Sequence, residues 1–106
     1  MQAWDLAGLV PAAEGRARYH EFQRSAGLSS GVYVIPRGAP DPQKPHAEDE
    51  VYHVIRGRGA FVAAGKRVAV GPGTILFVPA REEHRFVDVE EDLVVLVAFG
   101  PAESRP

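Results

Sequence analysis

The chain has 106 residues, with 12 basic and 14 acidic side chains, a formal net charge of −2 and no cysteine. A chain of that size holds one domain with a core of its own. The charge balance gives no ground for a nucleic-acid or anionic-membrane partner, and the lack of cysteine excludes disulfides, thiolate metal sites and thiol nucleophiles.

The N-terminus, Met1-Gln2-Ala3-Trp4-Asp5, lacks the basic-then-apolar pattern of a secretion signal. The longest apolar run, residues 93–99, is far shorter than the roughly 18 residues of a membrane helix. A cytoplasmic protein without a membrane partner is the expectation. Residues 2–13 are the one segment suited to a helix, which Pro11 would end. After it come short segments rich in Val, Phe, Tyr and Ile, each bounded by turn residues. Strands are expected over 16–23, 31–35, 51–56, 60–64, 67–70, 75–78, 85–89 and 93–99. Turns are expected at 27–30, at 64–66 and at Gly71-Pro72-Gly73. The proline-rich stretch 36–45 is the one long irregular loop, a kind of segment that often carries function. Residues 103–106 read as a frayed tail. The pattern predicts an all-β sandwich or barrel, one domain over 1–106 with an N-terminal segment at 1–15. The run 93–99 is apolar on both faces, so both need cover, from the N-terminal segment or from a second subunit.

Four histidines occur, at 20, 46, 53 and 84. His20 reads as an exposed strand residue. His46 precedes Glu50 by four positions, and His84 follows the turn at 79–83. Two spacings surround them. Gly38 is followed after five residues by Lys44-Pro45-His46, after three more by Glu50 and after six more by Gly57. Gly73 is followed after five residues by Pro79-Ala80-Arg81, after two more by His84 and after three more by Asp88.

These spacings resemble the two motifs of the cupins, G(X)5HXH(X)3-4E(X)6G at 38–57 and G(X)5PXG(X)2H(X)3N at 73–88. Three residue types differ: Lys44 replaces the first histidine, Arg81 a glycine and Asp88 the asparagine. The resemblance implies a single cupin barrel, a jelly-roll-like double-stranded β-helix. It implies one divalent metal (iron, manganese, zinc or nickel) held by His46, Glu50 and His84. It also implies a small-molecule ligand and a homodimer. Two imidazoles and a carboxylate form a triad that leaves coordination positions open.

Lys44 leaves three arrangements open. It turns to solvent and Gln43 or water completes a three-ligand site; it pairs with Glu50 and replaces the metal; or it is a working group that binds an anion or serves as a base. Strand alternation would put it on the face of His46. By the same parity Tyr52 faces inward with Glu50, as a phenol toward substrate or as core packing, and His53 faces outward. Phe86 and Asp88 would share the face of His84. Tyr52 and Lys44 are the candidate acid–base residues. The functions implied are a small metal-dependent dioxygenase or isomerase-type enzyme acting on a small polar molecule, a non-catalytic metal or ligand module, or a metal-free structural dimer.

Overall fold

The computed structural model describes residues 1–104. A single 3-10 turn at Leu6–Gly8 precedes six strands, β1 (Arg18–Arg24), β2 (Ser29–Ile35), β3 (Asp49–Ala63), β4 (Lys66–Val70), β5 (Ile75–Val78) and β6 (His84–Gly100). Every pairing is antiparallel, in the order β1-β2-β6-β3-β4 with β5 also on β3. The result is an all-β barrel, as the punctuation predicts, and of the jelly-roll form that the resemblance implies.

Two expected pairs of strands are each one long strand. Segments 51–56 and 60–64 run together in β3, and 85–89 and 93–99 run together in β6. The breaks between them are bulges: the β3–β6 register shifts three times between Val54 and Ala60. Gly57, the last motif glycine, has φ +96°, and a Cβ there would run into the Asp92 backbone. Without a side chain the two strands can cross closely and bend. Each long strand therefore pairs with different neighbours at its two ends within one six-stranded sheet. Residues 49–56 of β3 pair with 94–100 of β6, and 50–53 also pair with β5; residues 60–63 pair with 84–87 of β6 and with β4.

The bent sheet encloses one core. Tyr33 and Ile35 from β2, Tyr52 and Val54 from β3, Phe86 from β6, and Leu93, Val95, Val97 and Phe99 further along it all face inward. The even-numbered side of the last run faces outward. There Val94, with Val32 and Val34, is covered by Leu6, Leu9, Val10 and Ala13. Trp4 adds an edge-on contact to Phe22 at 5.0 Å. The second face of the 93–99 run is thus covered by the chain's own N-terminal segment. That segment is not the helix expected over 2–13; apart from the one 3-10 turn it is irregular. Its apolar residues follow the sheet surface rather than a helical face, and Gly8 and Pro11 cost helix stability. No helix of the described residues is long and apolar enough to cross a membrane.

Ala64 and Gly65 form a two-residue hairpin tip with φ +50° and +74°, the primed turn that matches strand twist. The first tip lies earlier than expected, closed by Ser25 N–H donating to Leu28 C=O at 2.8 Å. Arg81 and Asp88, which replace motif glycine and asparagine, both have positive φ, +70° and +49°. The motif residue types are therefore those that accept left-handed backbone most readily. The turn of chain at Asp88 also breaks parity: Phe86 is buried, but Asp88 is exposed and pairs with Arg67 at 2.6 Å instead of facing the site with His84. Arg81→Gly relieves a left-handed non-glycine residue on an exposed turn. It is expected to raise stability by about 1 kcal/mol in urea unfolding, and an unchanged midpoint would contradict this.

Candidate metal centre

The site is assembled from a loop and two strands. The 36–48 loop brings His46, β3 brings Glu50 and Tyr52, and β6 opens with His84. Alternation along β3 turns Glu50, Tyr52 and Val54 inward, each buried to 2 % exposure or less. His53 lies on the other face, between Ile75 and Leu96. The ligating atoms of His46, Glu50 and His84 all lie within 4.8 Å of one another. The Glu50 and His84 side chains are 1 % exposed, while His46 sits at the edge with 20 %.

The tautomers follow from the neighbours. His84 Nδ1 lies 2.8 Å from the Glu82 carbonyl oxygen, which can only accept, so Nδ1 carries a proton and Nε2 faces inward. His46 Nδ1 lies 3.1 Å from Glu103 Oε2, which turns its Nε2 inward as well, 3.4 Å from Gln43 Oε1. Tyr52 donates its hydroxyl proton to Gln43 Oε1 at 2.7 Å. Its oxygen is also 3.0 Å from His84 Nε2. Glu50 Oε1 is 2.8 Å from the same nitrogen, off the line a hydrogen bond needs, and neither Glu50 oxygen has a hydrogen-bond donor among the described residues.

Lone pairs of Glu50, His84 and Tyr52 therefore converge on one buried point. On a neutral imidazole, with the Tyr52 proton turned to Gln43, no proton lies between them, and such an arrangement is repulsive until the phenol turns its proton to Nε2 or a positive charge occupies it. A proton on His84 Nε2 supplies one such charge. Burial pushes the His84 pKa down, but the Glu50 carboxylate and the Glu82 carbonyl outweigh it, and the net shift is upward. The hydrogen bond to Glu103 likewise raises that of His46. A divalent cation is the other candidate. The donor set, two inward imidazole nitrogens and an otherwise unpartnered carboxylate, fits one.

The loop is held by a residue that sequence reading did not single out. Asp41, 7 % exposed, accepts from the Tyr33 hydroxyl at 2.6 Å, from Gln43 Nε2 at 2.6 Å and from Phe86 N–H at 2.8 Å. It anchors Gln43 so that the carboxamide oxygen faces Tyr52 and His46. Lys44 is exposed on the same loop, outside any strand, so the period-two argument does not reach it and it takes no part in the cluster. Of the three arrangements left open, the structure shows Lys44 on the surface and Gln43 at the site. The expected frayed tail is also partly ordered. Glu103 N–H donates to Ser29 Oγ at 2.8 Å, and Ser104 Oγ donates to Glu48 at 2.6 Å. Residues 105 and 106 lie outside the described residues. His20 and Arg81 are exposed. Arg81 contributes only its backbone, donating N–H to the His46 carbonyl at 2.6 Å.

A cavity of about 170 Å³ opens beside the cluster, with Gln43, His46 and Tyr52 on its inner side and Glu103 at its rim. Burial and the Glu50 charge push the Tyr52 phenol far above its ordinary pKa, so it stays protonated.

Comparison with known proteins agrees with the fold. A family model for the cupin domain matches residues 31–99. An uncharacterised protein of Streptomyces coelicolor is 44% identical over 86 residues, covering 81% of this chain and 82% of that protein. A solved structure from Thermus thermophilus superposes with a TM-score of 0.82 at 22% identity, covering 96% of this chain and 99% of that one. An RmlC-like cupin from Desulfovibrio desulfuricans gives 0.80 at 20% identity, covering 96% and 98%.

Two outcomes follow from the geometry. Asp41→Ala strands the Tyr33 hydroxyl and the Phe86 amide, and should cost about 2–3 kcal/mol in chemical unfolding, with Asp41→Asn costing less. Both histidines have raised folded-state pKa values. Their contribution in chelated protein is therefore full below the unfolded value of about 6.5 and is lost as pH rises through the folded values. Chelated protein should unfold at lower urea at pH 8 than at pH 6, and the opposite order would contradict the assignment.

Proposed function

This chain belongs to the cupin family, and we propose that within it the protein is a small metal-dependent enzyme acting on a small polar molecule by proton transfer. The observation that carries this is the buried meeting of Glu50, His84 and Tyr52 lone pairs beside a cavity lined by His46 and Gln43. His46, Glu50 and His84 would hold one divalent ion. Such an ion acts as a Lewis acid toward an oxygen of the bound molecule. Tyr52 is the residue placed to handle a proton. Its hydroxyl reaches both the cluster and the cavity, and its raised pKa makes it a donor rather than a resting base. Gln43 orients that hydroxyl by accepting its proton, and Asp41 orients Gln43. Lys44 has no part in this scheme. Isomerase or lyase chemistry, in which a proton moves and no oxidant is needed, fits these groups.

The test is the metal content of protein purified without chelator or histidine tag, by mass spectrometry. About one equivalent of a divalent metal is expected, lost in His84→Ala and in Glu50→Ala. Tyr52→Phe should keep its metal, because the phenol acts beside the ligand set. Metal-free protein that also refuses added zinc, manganese and iron would overturn the reading.

A further inference from the structure

The cavity beside the cluster has a chemical character of its own. Its outer walls are aromatic: Tyr19, Tyr33 and Phe99 line it with His46. Tyr19 stands edge-on to Tyr33 and Phe99, with ring centres at 6.2 and 6.3 Å, and Phe99 is 4.9 Å from the His46 ring. The Tyr19 ring can lie there because residue 31 is glycine. A Cβ at Gly31 would lie 2.2 Å from the Tyr19 Cζ and hydroxyl oxygen, too close to fit. The cross-strand pairing of β1 with β2 thus lays an aromatic over a glycine and aims it at the cavity.

Carboxylates gather on this side of the molecule. Glu103 lines the cavity with its Oε2 3.1 Å from His46 Nδ1, and Glu50 and Asp41 are buried residues of the same site. Among the described residues no lysine or arginine lines the cavity. Arg24 is taken by the Glu21 carboxylate at 2.9 Å and by the Glu103 carbonyl. The Tyr19 phenol registers these charges: after burial, those of Glu103, Glu21 and Glu50 hold its proton, against a smaller opposite effect of Arg24.

Aromatic rings around a small space, with a carboxylate and no lysine or arginine in the lining, are the chemistry that recognises an organic cation. We propose that this cavity selects a small molecule bearing an ammonium-type cation, held against Tyr19 and Phe99 with Glu103 as its counter-charge. The inference names the substrate class of the site and rests on the proposed function for the role of the neighbouring cluster. It does not need the metal for the cation contact itself.

Three probes of one shape test it on the full chain, zinc-loaded and chelated: choline, its uncharged analogue with carbon in place of nitrogen, and tert-butylacetate as the anion. Calorimetric titration should show choline binding at least about ten-fold tighter than the uncharged analogue, with the anion weaker still. Glu103→Gln should shrink that ratio several-fold while leaving the uncharged analogue unchanged. Gly31→Ala, which moves the Tyr19 ring without removing any lining residue, should shrink it too, and thermal unfolding checks that both variants fold. Equal affinities for the three probes, or no binding by any, would overturn the inference. So would a preference for choline that survives both variants. Zinc titration of the same samples separates the two readings. Zinc binding without cation preference overturns only the inference, whereas cation preference without zinc binding supports the inference and overturns the metal reading.

Discussion

The structure turns on one unfavourable contact. Glu50 Oε1 and His84 Nε2 are held 2.8 Å apart with the Tyr52 oxygen 3.0 Å from the same nitrogen, in an interior almost without solvent. The Glu82 carbonyl fixes the proton of His84 on its other nitrogen, and Tyr52 gives its own proton to Gln43. Such a meeting of acceptors is costly in an apolar interior. A proton or a metal ion between them relieves it.

The fold enforces that contact from several directions. Alternation in β3 fixes Glu50 and Tyr52 on the inner face, and β6 begins at His84 on the neighbouring strand, opposite Ala63. The bends in β3 and β6 rely on the bulges around Gly57. The cover of N-terminal residues over Val32, Val34 and Val94 leaves the inner face to the core and the site. The loop carrying His46 is tied down by Asp41 at one end and by the ordered Glu103 at the other. Stiff elements carry the buried Glu50 and His84, and the more accessible His46 sits on the loop.

Much of this was legible in the chain. The spacings around His46, Glu50 and His84 brought together the three residues that do converge. Turn residues placed most of the strand ends. What was not legible has physical reasons. β3 and β6 each read as two strands because bulges and the charged run at 90–92 interrupt their apolar alternation. Parity failed at Asp88 because a residue at φ +49° shifts the inward side by one position. Parity did not apply at Lys44 because that segment is loop, where neighbouring Gln43 points inward instead. Asp41 and Glu103 act through partners far away in sequence, Phe86 lying 45 positions from Asp41. No local pattern announces such contacts. Gly31 likewise looked like a strand residue, and only the ring of Tyr19 across the pair shows why a side chain is absent there.

The central claim is that His84 Nε2 holds a positive charge that a metal can replace. Nitrogen NMR of the histidine side chains reads this atom directly. In chelated protein at pH 6 the account predicts that both His84 nitrogens are protonated. One equivalent of zinc should remove the Nε2 proton and move that resonance to the metal-bound range, while Nδ1 stays protonated against the Glu82 carbonyl. A His84 spectrum that zinc leaves unchanged, with His46 and Glu50 unaffected as well, would contradict the account.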